Sequence, residues 1–278
     1  MLVTLTGATG FIGRALAGRL AAAGHQVHPF SLRSAQPLLA CDAVIYLAGE
    51  PIAQRWTPEA KRRIRESRVE GTRRLVAGLP SAPRVFICSS AVGFYGSRGD
   101  EVLTEASPPG SGFLADLCVD WERAAGEAGA LGMRVVNLRT GMVLGRGGGA
   151  LQRMLPAFRL GIGGRLGSGR QWMPWIHLDD LLDLVEFALA EAGVSGPLNA
   201  VAPEPVTNRQ FTSALGRALR RPAFVPVPAF ALQALFGEMA SVLLASQRVI
   251  PRAALDAGFE FRHPALGPAL QDILRSNR

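Results

Sequence analysis

The chain of 278 residues contains one lysine, Lys61, and two tyrosines, Tyr46 and Tyr95. A proton relay built on a Tyr-x-x-x-Lys pair would need a tyrosine at position 57, where the sequence has Thr57, so that relay is excluded throughout. Cysteine is nearly as scarce. Cys41, Cys88 and Cys118 make an odd set with no C-x-x-C spacing. This argues against a disulfide framework and against a zinc site, and for reduced thiols in a cytoplasmic protein. No apolar run approaches the roughly 20 residues of a membrane span. The start, MLVTLTGATG, has no basic region ahead of its apolar residues and makes a poor signal peptide.

Acidic residues are outnumbered, and the formal charge is +8. The excess is almost all arginine, scattered apart from KRRIRESRVEGTRR at 61–74. There Glu66 and Glu70 recur among the arginines at helical spacing, which describes a solvated helix face laced with ion pairs. Aromatic residues for base stacking are not interleaved with the cations, so no nucleic-acid partner is expected.

What is abundant is apolar: 48% of the residues are hydrophobic, ample for a buried core. Short apolar runs alternate with amphipathic segments, the pattern of a parallel sheet covered by helices. Strands are expected at 2–6, 27–31, 42–49, 84–90 and 133–139, with helices at 12–24, from Pro58 onward, and at 113–129. Thr57 reads as an N-cap with Pro58 at the first helical position. Past residue 144 the alternation breaks. GRGGGALQRM leads into a helix, HLDDLLDLVEFALAEAG (177–193) is helical, GPLNAVA is a strand, and Thr207 with Gln210 fits a capping box. The expected architecture is α/β, a doubly wound parallel sheet of Rossmann type with a small interleaved C-terminal lobe. Residues 1–144 form the dinucleotide-binding domain, with 176–202 returning to it, and 145–175 and 203–278 form the small lobe.

TGATGFIG places Gly7, Gly10 and Gly13 straight after a strand and at the opening of a helix. Glycines permit the tight turn and the close approach of backbone to a pyrophosphate, and the helix N-terminus offers it N–H groups and partial positive charge. Thr9, Phe11 and Ile12 share that turn. At the end of the second strand PFSLRS offers Ser31 and Arg33 and no acid. An acid there would bond a ribose 2′-hydroxyl, whereas a guanidinium grips a 2′-phosphate, so NADP(H) is favoured over NAD(H). Leu47, Ala48 and Gly49 end the third strand at the same edge. Ser89 and Ser90 end the fourth, and Arg139, Gly141 and Val143 belong to the end of the fifth.

TGATGFIG, LAG at 47–49, SSAVGFYG at 89–96 and WIHLDD at 175–180 resemble an extended short-chain dehydrogenase/reductase. More narrowly, GFLADLCVDWE, RTGMVLGRGGGAL, GSGRQWMPWIH and SQRVIP resemble its atypical epimerase-like branch, often labelled sugar-nucleotide epimerase, and QRVIPRAALDAGFEFRHPAL is peculiar to that branch. The resemblance runs nearly end to end. It implies a reductase or epimerase acting on a small or nucleotide-linked carbonyl or carbinol compound, and it makes Arg68 a second candidate for the phosphate end of the cofactor. By analogy with relatives that pair subunits through helices 58–79 and 113–129, the chain is a monomer or a homodimer.

Counting back from Glu122, the position of the usual tyrosine falls near Leu114 and that of the lysine near Cys118. Counting from Tyr95-Gly96 puts Ala91 where a Ser/Thr partner belongs, with Ser90 one residue early. Tyr95, His177 and Ser90 are the candidate replacements. Tyr95 either lines the pocket or packs in the core, and His177 either moves a proton or bonds at a helix start. Cys118, Asp116 and Glu105 are further groups that could titrate. Glu50, Trp56, Trp172 and Trp175 are candidates for substrate contact. No metal is expected. Two functions stay open: an NADP(H)-dependent enzyme with an unusual acid/base, or a non-catalytic NADPH-responsive sensor that reports to a partner.

Overall fold

The computed structural model describes residues 1–33 and 37–275. In chain order the amino-terminal part runs β1 (Leu2–Thr6), α1 (Phe11–Ala22), β2 (Gln26–Phe30), β3 (Ala43–Tyr46), α2 (Pro58–Arg65), α3 (Gly71–Ala77), β4 (Val85–Ala91), β5 (Val102–Leu103), α4 (Phe113–Gly126) and β6 (Arg134–Thr140). It continues with β7 (Met142–Leu144), α5 (Gly149–Arg159), β8 (Trp172–Met173), β9 (Trp175–His177), α6 (Leu178–Ala190), β10 (Gly196–Ala200), β11 (Val206–Thr207) and α7 (Asn208–Leu219). The end holds α8 (Ala229–Phe236), α9 (Ala240–Leu244), β12 (Arg248–Val249), α10 (Arg252–Asp256) and α11 (Leu266–Arg275).

Six strands form the main sheet in the order β10-β6-β4-β3-β1-β2, and every pairing in it is parallel. The chain steps outward from β1 to β2, then crosses back to β3 on the other side. That reversal opens a crevice at the carboxyl ends of β1 and β3, where doubly wound sheets bind ligands. Alternate residues of each strand feed opposite cores. Ala43 and Ile45 join Val3, Leu5, Ile87 and Leu138 under α1 and α6, while Val44 and Tyr46 join Phe86 and Cys88 under α2, α3 and α4. The smaller lobe has its own core around Leu151, Phe158, Phe211, Leu215 and Leu270.

Local chemistry explains the helix starts. Thr57 Oγ1 accepts the Ala60 N–H at 3.2 Å with Pro58 behind it, and the capping box at Thr207 and Gln210 is complete. Between α2 and α3 the helix widens into a π turn at Glu66–Glu70. The Tyr46 hydroxyl donates to the Ser67 carbonyl there at 2.7 Å, and Gly71 leaves room for the phenol, since a Cβ would sit 2.3 Å from its oxygen. Single wide turns of this kind recur at functional sites, because they re-aim the side chains they carry. Here the re-aimed residue is Arg68. The arginine-rich face is answered by acids, as in Arg65–Asp120 at 2.6 Å and Arg73–Glu127 at 2.8 Å. Among the described residues no helix is long and apolar enough to cross a membrane.

Candidate active site

The glycine turn lies at the carboxyl end of β1. Gly7 holds φ +71° and packs on β3's exit so tightly that a Cβ would fall 2.9 Å from the Leu47 carbonyl carbon. A Cβ on Gly13 would fall 2.1 Å from the Gly7 oxygen, so only glycine lets α1 approach the turn. Thr6 Oγ1 accepts the N–H groups of Leu47 and Ala48 at 3.1 and 3.2 Å, locking the two strand ends together. Gly10 caps α1 without any side-chain bond, which leaves the first-turn amides to an anion. Phe11 and Ile12 pack partly into the core, and the stretch GRGGG passes over Phe11, where a Cβ on Gly148 would meet its ring at 2.3 Å. Thr9 is exposed on the turn. These features fit a bound dinucleotide pyrophosphate.

Ser31 and Arg33 are exposed past the end of β2, and the Arg33 N–H donates to Ser31 Oγ at 3.2 Å. Arg68 packs against Gly49, where a Cβ would sit 2.9 Å from its guanidinium carbon. Its Nη1 donates to the Glu50 carbonyl at 2.9 Å, its guanidinium stands 5.2 Å over the Trp121 ring, and it lines a cavity on the α4 side of the sheet. The π turn carries it, and the family resemblance made it a second candidate for the phosphate end of the cofactor.

That cavity, about 680 Å³, opens at the carboxyl ends of β4 and β6. Ser89, Ser90 and Gly141 form its floor, Leu114, Cys118 and Trp121 of α4 one wall, and Met154, Trp172 and Met173 another. Residues 238–247 close over it. Lys61 fastens that segment by donating to both Glu238 carboxylate oxygens at 2.6 and 2.7 Å. Trp56 reaches the wall with its ring 5.0 Å from Phe113. Leu114 and Cys118 face the cavity where the tyrosine and lysine of the usual relay were counted. Burial pushes the Cys118 thiol up to about 12, so it stays protonated and neutral near pH 7.

Ser90 is the cavity end of a buried polar chain. Its hydroxyl donates to Glu122 Oε1 at 2.7 Å. Arg139 grips the same carboxylate through Nε and Nη2, both at 2.9 Å, and stacks 3.5 Å from the Phe94 ring. Arg139 Nη1 then donates to the Tyr95 hydroxyl at 3.0 Å, and Tyr95 donates to Asn199 Oδ1 at 2.7 Å. The Asn199 N–H reaches Glu105 Oε1 at 3.0 Å. A two-pronged guanidinium–carboxylate contact is among the stronger charge-assisted pairings, and the carboxylate orients the serine hydroxyl. The meeting of Glu122 and Arg139 cannot be read from spacing, since they lie on different elements. The available signal was a glutamate on the apolar face of α4, which demands a cation.

Several expected residues sit away from the cavity. Tyr95 is fully buried, its hydroxyl is spent on Arg139 and Asn199, and burial raises its pKa; it is a strut behind Ser90 rather than a wall residue. Arg139 is committed to Glu122, and Val143 packs in the core beneath α6. Trp175 belongs to the core of the smaller lobe at 1% exposure. Glu50 turns its carboxylate toward Gln54 and Arg63, at 3.2 and 3.6 Å. Leu47, Ala48 and Gly49 keep their place beside the glycine turn.

His177 caps α6, its Nδ1 accepting the Asp179 N–H at 3.1 Å, and its ring stacks on His263 at 3.8 Å. Burial and the neighbouring His263 lower its pKa. With Asp179 these two histidines could gather around an ion. Because Nδ1 spends its lone pair on the helix cap, the neutral ring carries its proton on Nε2, and ligation by His177 would break the cap.

Comparison with known proteins decides the family. Residues 3–200 match the NAD dependent epimerase/dehydratase family, and residues 227–273 match a domain of unknown function (DUF1731). The chain belongs to the NAD dependent epimerase/dehydratase family. An epimerase family protein of Mycobacterium tuberculosis, MT2273, is 44% identical over 97% of this chain and 96% of its own length. The crystal structure of human epimerase family protein SDR39U1 (isoform 2), solved with NADPH, superimposes with a TM-score of 0.93 at 39% identity, covering 99% of both chains. A nucleoside-diphosphate sugar epimerase from Corynebacterium glutamicum gives 0.78 at 38% identity, covering 99% of this chain and 58% of that one. Family membership accounts for the parallel sheet and the glycine turn, and the second match covers most of the C-terminal segment.

Proposed function

We propose that this protein is an NADP(H)-dependent oxidoreductase of epimerase or reductase type that acts on a small carbonyl or carbinol compound without a Tyr-x-x-x-Lys relay. The observation that carries the reading is Ser90, the hydroxyl on the cavity floor that is hydrogen-bonded to a charged, buried carboxylate. Gly7, Gly10 and Gly13 would hold the pyrophosphate, Ser31 and Arg33 the 2′-phosphate, and Ser89 and Ser90 would lie at the nicotinamide end. The exposed Arg33 with no acid beside it supports NADP(H) over NAD(H). So does the NADPH in the human relative's structure.

When bound, NADPH supplies a hydride, and a carbonyl compound that takes it up with one proton becomes the alcohol. Ser90 hydrogen-bonds the substrate oxygen. In the alcohol-to-carbonyl direction it accepts the substrate's hydroxyl proton while passing its own to Glu122; the reverse direction returns that proton. Arg139 holds the carboxylate in place behind the serine. Trp56 and Trp172 keep water from the reduced ring.

A second reading is a sensor that binds NADPH and reports closure of the C-terminal segment to a partner. It is favoured by the cavity wall, whose ionisable groups among the described residues are Arg68, Glu238 and the neutral thiol of Cys118. A panel of aldehydes, ketones and alcohols, followed by NADPH absorbance, separates the two. Turnover that falls about 100-fold or more in Ser90→Ala supports the enzyme, in line with the usual worth of acid–base help. Tight NADPH binding with no turnover on any member supports the sensor.

A further inference from the structure

The cavity wall is poor in cations. A nucleotide-linked sugar brings a diphosphate of two negative charges, and burying it calls for opposite charge around it. Among the described residues the wall offers one cation, Arg68, and its Nη1 is already donated to the Glu50 carbonyl. The carboxylate at the mouth, Glu238, carries the wrong sign and already holds Lys61. Five arginines, Arg165, Arg209, Arg217, Arg220 and Arg221, line a separate recess and contribute nothing to this wall.

What the wall offers is apolar surface. Leu114, Met154, Trp172, Met173, Val242 and Leu243 surround the volume. Trp172 is pinned, since its indole N–H donates to Asp100 at 2.7 Å and the Arg248 guanidinium stands 4.6 Å over its ring. The polar groups facing inward are few and mostly spent: the Gln247 amide donates to the Val92 carbonyl at 2.8 Å, and Ser97 Oγ accepts the Ser246 N–H at 3.1 Å. Ser89, Ser111 and Ser241 also line the cavity, and Ser90 is the one whose hydroxyl is coupled to a buried carboxylate and so placed to address a substrate oxygen. Sites for small ligands generally combine an apolar lining with a few placed polar groups in a volume of roughly 300–1,000 Å³, and this one fits that description.

We propose that the cavity takes an apolar, phosphate-free ketone or aldehyde, or the matching alcohol, and rejects nucleotide-linked sugars. The inference rests on the reading of the protein as NADP(H)-binding and narrows its substrate class. Three of the four tryptophans, Trp56, Trp121 and Trp172, line the cavity, so tryptophan fluorescence reports its occupancy.

The test has two arms. Calorimetry first measures NADPH binding to the full chain. The NADPH-saturated protein is then titrated with acetophenone and cyclohexanone, and separately with UDP-glucose, following fluorescence. The expected result is saturable quenching by the ketones at concentrations at least tenfold below any response to UDP-glucose. Met173→Gln should weaken the ketones about tenfold, the scale on which one poorly matched group in an apolar pocket discriminates, with NADPH affinity unchanged. Val242→Asp, at an exposed position of the wall, gives the same readout if the first variant does not fold. UDP-glucose binding as tightly as the ketones overturns the proposal. So does NADPH binding with no response to either ketone, and in that case the cofactor reading survives. Loss of NADPH binding itself, seen in the first arm, removes both.

Discussion

Ser90 and Glu122 are 32 positions apart in sequence and 2.7 Å apart in space, the serine on the cavity floor and the carboxylate behind it in the grip of Arg139. The two residues carry different loads. Ser90→Ala removes one hydrogen bond and should cost about 1 kcal/mol of stability, while removing turnover. Glu122→Gln leaves Arg139 buried without its counter-charge and should cost about 3–5 kcal/mol. Urea unfolding of the two variants beside the parent measures both. Equal stability losses would mean that the Arg139 pair is not the strut described.

Thiol reactivity checks the burial of the cavity wall. Cys41 is half-buried, whereas Cys88 and Cys118 are buried and their pKa values raised by that burial. A thiolate is the reactive form, so an aromatic disulfide reagent at pH 8 should titrate Cys41 readily and the other two only on unfolding. Fast reaction of a second thiol in the native protein would place Cys118 in an open site.

Stability should depend on pH through His177. Its folded-state pKa lies below the unfolded value near 6.5, so below that pH the unfolded chain binds more protons than the native one. The contribution of the neutral ring is therefore complete above about pH 7 and is lost as pH falls through about 6.5 and below. His177→Asn keeps a helix-capping acceptor and removes the titration. Melting temperatures at pH 7.5 and 5.5 should fall further apart in the parent than in this variant; an equal spread would contradict the assignment.

The contrast between what the sequence revealed and what it hid has a physical basis. The glycine turn, the Thr57 cap and the capping box at Thr207 are local, and a few adjacent residues dictate each of them. The ion-paired face at 61–74 was legible for the same reason. Hidden were contacts that depend on three-dimensional closure: Arg139 on Glu122, Tyr95 on Asn199 across 104 positions, and Lys61 on Glu238 across 177. Arg68 sits on a π turn, which cannot be read from spacing and which shifts the side of the helix a residue faces. Trp175 lies three residues beyond Trp172, which does reach the cavity, and an odd number of steps along an extended chain turns a side chain to the opposite face.

The cofactor assignment is tested most directly by calorimetric titration of the protein with NADPH and with NADH, repeated on Arg33→Ala. The account predicts that NADPH binds more tightly and that the variant loses about tenfold or more in NADPH affinity, the worth of a charge-assisted contact, with little change for NADH. A preference for NADH, or no affinity for NADPH, would contradict it.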